Sequence, residues 1–155
     1  MKRLGVRPSF AVSRRRAAGF TMLEVMIVTA IVAILAAIAL PNYADYVTRG
    51  KITEATTGLS DLRQRYEQFF LDNRSYTGGC VQLKPLVQPN LPDFAIDCST
   101  ESAAGYTSIA TGTGTMTGFV YQIDNTGAKA TNGVPPGWNL PVGACWAIRK
   151  SGDCE

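Results

Sequence analysis

The chain has 155 residues, of which 15 are basic, 12 acidic and none histidine, giving a formal net charge of +3. The lack of histidine excludes catalytic pairs built on a histidine base, and a zinc site would need all four cysteine thiolates. Six basic residues and no acidic residue precede Gly19, so nine basic and twelve acidic side chains follow it, a net charge of −3. Bulk charge therefore offers no argument for nucleic-acid binding by that part. We expect no enzyme activity, no catalytic residue and no cofactor.

Residues 20–40 form the most apolar run of the chain and follow a basic cluster at residues 14–16. The run contains one carboxylate, Glu24, and no Lys, Arg, Asp, Gly or Pro. As a helix it would span about 30 Å, the thickness of a bilayer's hydrocarbon core. The basic flank predicts a single pass with the N-terminus in the cytoplasm. A carboxylate in such a helix costs about 2–3 kcal/mol, which makes Glu24 a candidate functional residue.

The helical pattern continues beyond Pro41 and becomes amphipathic. One apolar face recurs at spacings of three and four residues: Ile52, Ala55, Leu59, Leu62, Tyr66 and Phe69. This spacing predicts one long helix over residues 20–72, with Asn73, Gly78 and Gly79 as stop signals. The apolar face is expected to form the core of a folded domain.

Several residues qualify this helix. Pro41 lacks a backbone N–H and predicts a kink. Gly50 and Gly58 each weaken the helix by about 1 kcal/mol relative to alanine. Tyr43 and Tyr46, just beyond the apolar run, suit the aromatic position at a membrane interface.

The remainder of the chain predicts a small antiparallel sheet. Residues 80–105 contain three prolines and little periodicity, which predicts a loop-rich connection. Strand-like runs follow at residues 106–111, 118–123, 128–131 and 145–149, with turn chemistry at residues 124–127. The expected fold class is α+β: a long N-terminal helix, half apolar and half amphipathic, packed on three to four antiparallel strands. The strand order stays open, with sequential antiparallel pairing as the default.

The segment RRRAAGFTMLEVMIVTAIVAILAAIALPNYADYV resembles the class III leader and N-terminal helix of type IV pilins and related pseudopilins. The resemblance implies the pilin fold, a leader at residues 1–19, an apolar half-helix at residues 20–41 and a head domain at residues 42–155. It implies that prepilin peptidase cleaves between Gly19 and Phe20 and methylates Phe20. It further implies that Glu24 pairs with the amino terminus of a neighbouring subunit. In this family Pro41 would mark a weak point that melts during assembly.

The resemblance also implies location and partners. The subunit would wait in the inner membrane and then join other pilin subunits in an extracellular pilus through an inner-membrane assembly platform. Adhesion, twitching motility and DNA uptake are the functions of such filaments. The alternative is a low-abundance minor pilin or a type II secretion pseudopilin. DNA binding is left open only by Arg149 and Lys150 near the C-terminus.

The four cysteines form no CxxC pair and allow three pairings. Export to an oxidising compartment favours disulfides over free thiols. The end of the chain resembles the C-terminal disulfide loop of type IVa pilins, which implies a Cys145–Cys154 bond and leaves Cys80 with Cys98. We expect no metal site, although four scattered aspartates keep calcium as a weaker alternative: Asp93, Asp97, Asp124 and Asp153.

Overall fold

The computed structural model describes residues 19–154. Two helices are present, α1 (Met22–Asn73) and α2 (Gly79–Val87), with short 3-10 turns at Gln88–Asn90 and Gly114–Met116. Four strands follow: β1 (Phe94–Glu101), β2 (Tyr106–Gly112), β3 (Val120–Asp124) and β4 (Lys129–Gly133). The described chain divides into two compact units, one ending at Leu40 and the other beginning at Pro41. The predicted α+β class is confirmed.

Helix α1 matches its predicted extent closely, but it ends differently from expectation. The residue that turns the chain is Arg74, whose φ of 55° is left-handed and whose N–H donates to the carbonyl of Phe70 at 2.7 Å. The Asn73 side chain donates to the carbonyl of Phe69 at 2.9 Å and satisfies another terminal acceptor. Gly78, with φ of 87°, leads into α2 instead of ending α1.

The predicted apolar stripe of α1 forms the core of the second unit. All six of its residues are buried, none more than 9 % exposed. The inner face of the sheet lies in the same cluster and supplies Phe94, Ile96 and Cys98 from β1, Tyr106 and Ala110 from β2, and Tyr121 and Ile123 from β3. The expected single core between helix and sheet is confirmed.

The sheet order is β1-β2-β3-β4, with every neighbouring pair antiparallel. Ile96 pairs with Ala110, which pairs in turn with Tyr121, so three core residues lie in one row across the sheet. A register shift between Asp97 and Thr100 interrupts the β1–β2 ladder. The sequence left the strand order open, and the structure has the sequential order that is the default for short connections.

Two of the predicted elements are wrong. The connection at residues 80–105 contains α2 and β1, because Leu83 and Val87 supply a buried helical face and Phe94, Ile96 and Cys98 alternate in a buried strand. Residues 145–149 are not a strand. They make one isolated bridge, between Ala147 and Cys154, because the disulfide loop folds on itself.

The strands predicted at residues 118–123 and 128–131 are present, but their bounds differ from the prediction. β3 begins at Val120 instead of residue 118, since Gly118 adopts a φ of 101° that a strand does not use. β4 lies one to two residues further along the chain than predicted, at Lys129–Gly133.

Candidate functional site

The Gly19–Phe20 peptide lies in an open segment ahead of α1. Residues 19–21 have no regular secondary structure, and the Phe20 side chain is 82 % exposed. A Cβ placed on Gly19 would meet no atom within 4 Å. In this geometry the peptide bond between Gly19 and Phe20 is exposed ahead of the first turn of α1. The leader at residues 1–18 lies outside the described residues.

Thr21 and Glu24 organise the first turn of α1. The Thr21 side-chain oxygen accepts a hydrogen bond from the Glu24 N–H at 3.1 Å, which is N-cap geometry. Glu24 is exposed on that first turn, where the positive end of the helix dipole favours a carboxylate. Sequence reasoning singled out Glu24 and missed Thr21, although the Thr-x-x-Glu spacing is a capping-box signal.

The apolar half of α1 presents its side chains outward. From Met22 to Leu40 the large apolar side chains are between 51 % and 86 % exposed. The helix is long and apolar enough to cross a membrane by length and composition. Its backbone remains helical at Pro41, where the second unit begins. So large an exposed apolar surface indicates a lipid or protein partner, because soluble monomers rarely expose one.

The C-terminal loop is closed by a disulfide between Cys145 and Cys154, with a Cα–Cα distance of 5.9 Å. Hydrogen bonds between this loop and strand β3 hold the loop in place. The Tyr121 hydroxyl donates to the carbonyl of Ala147 at 2.9 Å, and the Trp146 indole N–H donates to the carbonyl of Gln122 at 2.9 Å. The loop is therefore a fixed surface of the head.

A salt bridge ties the same loop to α1. The Lys150 Nζ lies 2.7 Å from the Asp45 carboxylate. Arg149, the neighbouring cation, is exposed. Of the two basic residues that kept DNA binding open, one is thus already paired within the chain.

The junction between α1 and α2 is held by a second disulfide and one carboxylate. Cys80 and Cys98 join α2 to β1, with a Cα–Cα distance of 5.4 Å. The Glu101 carboxylate accepts hydrogen bonds from the N–H of Gly78 at 2.7 Å, the N–H of Cys80 at 2.9 Å and the Tyr66 hydroxyl at 3.1 Å. Burial and the Glu101 charge raise the pKa of Tyr66, so the hydroxyl stays protonated and donates.

The four aspartates considered for calcium have separate local partners. Asp93 pairs with Lys51 at 3.0 Å, and Asp153 accepts from the Ser151 hydroxyl at 2.7 Å. The Ser99 backbone N–H lowers the pKa of Asp97. Asp124 accepts a hydrogen bond from the Ala128 N–H at 3.0 Å. Within residues 19–154, no group of three or more Cys, Asp or Glu side chains could hold a metal ion.

Comparison with known families agrees with this architecture. Residues 14–40 match the profile of the prokaryotic N-terminal methylation motif. Residues 41–120, just over half of the chain, match the profile described as type IV minor pilin ComP, DNA uptake sequence receptor. The chain belongs to the type IV pilin family. The resemblance carried by the N-terminal segment is confirmed.

Individual pilins match this pilin over different lengths. The type IV wide pilus major component PilA4 of Thermus thermophilus is 35 % identical over 119 residues, covering 76 % of this chain and 90 % of that protein. Two fimbrial proteins of Pseudomonas aeruginosa are 46 % identical over 56 residues, so the match spans only 36 % of their length. Among solved structures, the Neisseria meningitidis minor pilin PilV aligns over 58 % of this chain and 91 % of that one, with a TM-score of 0.49 and 19 % identity.

Several contacts of this pilin were missed from the sequence. Glu101 and Gln88 both bind backbone groups outside their own elements: the Gln88 amide accepts from the Ile96 N–H and donates to the Phe94 carbonyl, each at 2.7 Å. This covers part of the outer edge of β1, which would otherwise leave its hydrogen-bonding groups open. No local pattern in the sequence signals such long-range pairs.

Proposed function

We propose that this pilin is a structural subunit of a type IV pilus. Prepilin peptidase cleaves between Gly19 and Phe20, the subunit spans the inner membrane once with its N-terminus in the cytoplasm, and the assembly platform transfers it into a helical filament of pilin subunits. The observation that carries this proposal is the exposed apolar half of α1 ahead of a folded head. Lipid covers that surface before assembly, and neighbouring helices cover it afterwards.

Glu24 is the residue that selects the register between subunits. Cleavage creates a cationic amino group on Phe20, four residues before the Glu24 carboxylate. In the apolar centre of a filament each charge needs a partner, and pairing across subunits offsets both. The interface is head-to-tail, so repeating it gives an open helix instead of a closed ring.

The test replaces Glu24 by valine in the native host. The Glu24→Val precursor is cleaved normally, but its amount in sheared surface filaments falls at least tenfold, because one buried charge is left unpaired at several kcal/mol. Glu54→Val is the matched control, since Glu54 is an exposed glutamate in the head half of the same helix. A Glu24→Val strain with the wild-type filament yield would contradict the assembly role.

DNA binding by the head is the second candidate function. The observation that favours it is the match of residues 41–120 to a profile described as a DNA uptake sequence receptor. Three head cations are paired with acidic neighbours, Lys51 with Asp93, Arg65 with Asp61 and Lys150 with Asp45. Exposed Arg149 is the cation of the C-terminal loop best placed to meet phosphate.

Fluorescence anisotropy with labelled duplex DNA tests this candidate on the full chain in detergent at several salt concentrations. If the loop contacts phosphates, Arg149→Glu weakens binding and reduces the salt slope by about 1. Arg74, an exposed cation at the end of α1, provides the control: Arg74→Glu leaves the DNA affinity and the salt slope unchanged. Absence of salt-dependent binding by the wild-type chain would exclude this function, while leaving filament assembly unaffected.

A further inference from the structure

The loop that precedes the C-terminal disulfide carries two apolar side chains in solvent. Leu140 is 55 % exposed, and Val142 is fully exposed. Pro141 lies between them, and Gly143 follows with a φ of 132°. The short segment 140–142 thus forms an apolar tip, which is called here the 140–142 tip.

The 140–142 tip is held against the disulfide loop. The Asn139 N–H donates to the carbonyl of Lys150 at 3.0 Å. The Leu140 carbonyl oxygen lies 2.9 Å from the position that a Cβ on Gly152 would occupy, so the two backbones approach closely. The position of the tip therefore follows the position of Lys150.

Lys150 in turn pairs with a residue that follows the apolar run in the sequence. Its Nζ is 2.7 Å from Asp45, which comes only five residues after Leu40. Five residues span at most about 18 Å even when fully extended. If residues 20–40 lie in a bilayer, Asp45 lies within about 18 Å of the end of the membrane-spanning run. Tyr43 and Tyr46 on either side of Asp45 are 69 % and 77 % exposed, as suits aromatic residues at an interface.

We infer that the 140–142 tip contacts the lipid surface while the subunit waits in the membrane before assembly. This inference rests on the membrane-anchored state of the proposed function. Leu140 and Val142 have the chemistry to enter the boundary between headgroups and acyl chains. Because α1 already anchors the chain in the bilayer, the tip is held at a high effective concentration near lipid. The tip–lipid contact therefore needs little affinity of its own.

Such a contact restrains the head before assembly. A single helix leaves the head free to tilt towards the membrane in any direction, whereas a second lipid contact on one side of the head fixes which face meets the bilayer. Extraction into the filament then has to detach the tip as well as the helix.

The test uses the full-length chain with its disulfides intact, reconstituted in vesicles of phosphatidylethanolamine and phosphatidylglycerol. An environment-sensitive fluorophore is attached to a new cysteine at Val142→Cys, and quenching by lipids spin-labelled near the headgroup is measured. Val81→Cys is the matched control, an 80 % exposed valine on α2. Glu101 links the start of α2 to Tyr66 through hydrogen bonds. Tyr66 lies 21 residues beyond Asp45, or about 32 Å along α1, so position 81 is the distant reference for position 142.

The expected result is at least twofold stronger quenching at position 142 than at position 81. Ile31→Cys, in the apolar half, is read in parallel with a deep quencher. Quenching at position 31 without quenching at position 142 overturns the lipid contact and leaves the anchor intact. No quenching at position 31 overturns the anchored state and the lipid contact together. Equal quenching at positions 81 and 142 also overturns the inference, because it means that the head meets lipid without preference for the tip.

Discussion

At the scale of single residues, Glu101 joins three parts of the head that are distant in sequence. Its carboxylate binds the backbone at Gly78 and Cys80 and the Tyr66 hydroxyl. Hydrogen bonds to a charged group contribute more than neutral ones, and removing the acceptor leaves donors without a partner. Glu101 therefore acts as a remote cap for the start of α2.

We expect Glu101→Ala to lower the free energy of unfolding of the head by about 2–3 kcal/mol. Urea unfolding of the full chain in detergent micelles, with disulfides intact, measures this. Glu54→Ala, an exposed position on α1, should stay within about 0.5 kcal/mol of wild type. Equal stabilities of the two variants would show that the Glu101 contacts contribute nothing.

Asp124 gives the head a dependence on pH. Burial alone would raise the pKa of this carboxyl, but hydrogen bonds from Thr126, Ala128 and Gly127 together outweigh burial and lower it from its ordinary value of 3.8. A folded-state pKa below the unfolded one means that the stabilisation is present above the unfolded pKa. It is lost as the pH falls through the folded pKa.

Asp124→Asn is therefore expected to be less stable than wild type at pH 7 by about 1 kcal/mol, the contribution of hydrogen bonds to a charged acceptor. The difference should disappear as the pH falls through the lowered folded-state pKa of Asp124. Urea unfolding at a series of pH values measures it. Asp72→Asn, at the exposed end of α1, controls for general charge effects. A difference for Asp124→Asn that does not change with pH would contradict this account.

At the scale of elements, α1 contains two glycines that the sequence could not distinguish. A Cβ on Gly50 would meet nothing within 4 Å, whereas a Cβ on Gly58 would lie 2.7 Å from the Leu91 Cδ1. Leu91 is buried against the helix at 3 % exposure. Gly50 therefore only lowers the stability of the helix. Gly58 also leaves the space that the buried Leu91 side chain occupies.

Gly50→Ala should raise the free energy of unfolding by about 0.5–1 kcal/mol through helix propensity. Gly58→Ala should gain nothing or lose about 1 kcal/mol, since displacing Leu91 offsets the same propensity gain. The two substitutions control for each other in urea unfolding. Equal stabilisation by both would contradict the packing of Leu91 on Gly58.

The elements differ in how far the sequence could predict them. The apolar face of α1 recurs over several helical turns, so its helical period can be recognised in the sequence. β2 is rich in residues that favour strands, which also makes it predictable. The sequence does not reveal β1, because its alternation of Phe94, Ile96 and Cys98 follows closely on Pro89 and Pro92, which signal a loop. Residues 145–149 have strand composition, yet the bond between Cys145 and Cys154 turns them into a closed loop.

The contacts that hold the elements together could not be predicted at all. The pairs Glu101–Cys80, Gln88–Ile96 and Lys150–Asp45 depend on how the elements fold over one another. No periodicity in the sequence encodes them. The candidate processing and assembly residues could be named because they form one contiguous motif, and their roles stay predictions.

At the scale of the whole molecule, the chain combines an exposed apolar unit with a head stabilised by its own core. Closing loops of 18 and 9 residues, the disulfides each contribute about 2.5–3 kcal/mol in the chain-entropy model. The head is therefore stabilised independently of what covers the apolar unit. In the proposed assembly, this division would let the head stay folded while the subunit moves from the membrane into a filament.

The most direct test of the central claim is the intact mass and N-terminal sequence of the protein in sheared surface filaments, with the inner-membrane fraction measured beside it. The expected chain begins at methylated Phe20 and is four hydrogens lighter than the reduced form, as two disulfides require. Abundance in the sheared fraction would then separate a major subunit from a minor one. A protein that still carries residues 1–19 and is confined to the membrane would contradict the account.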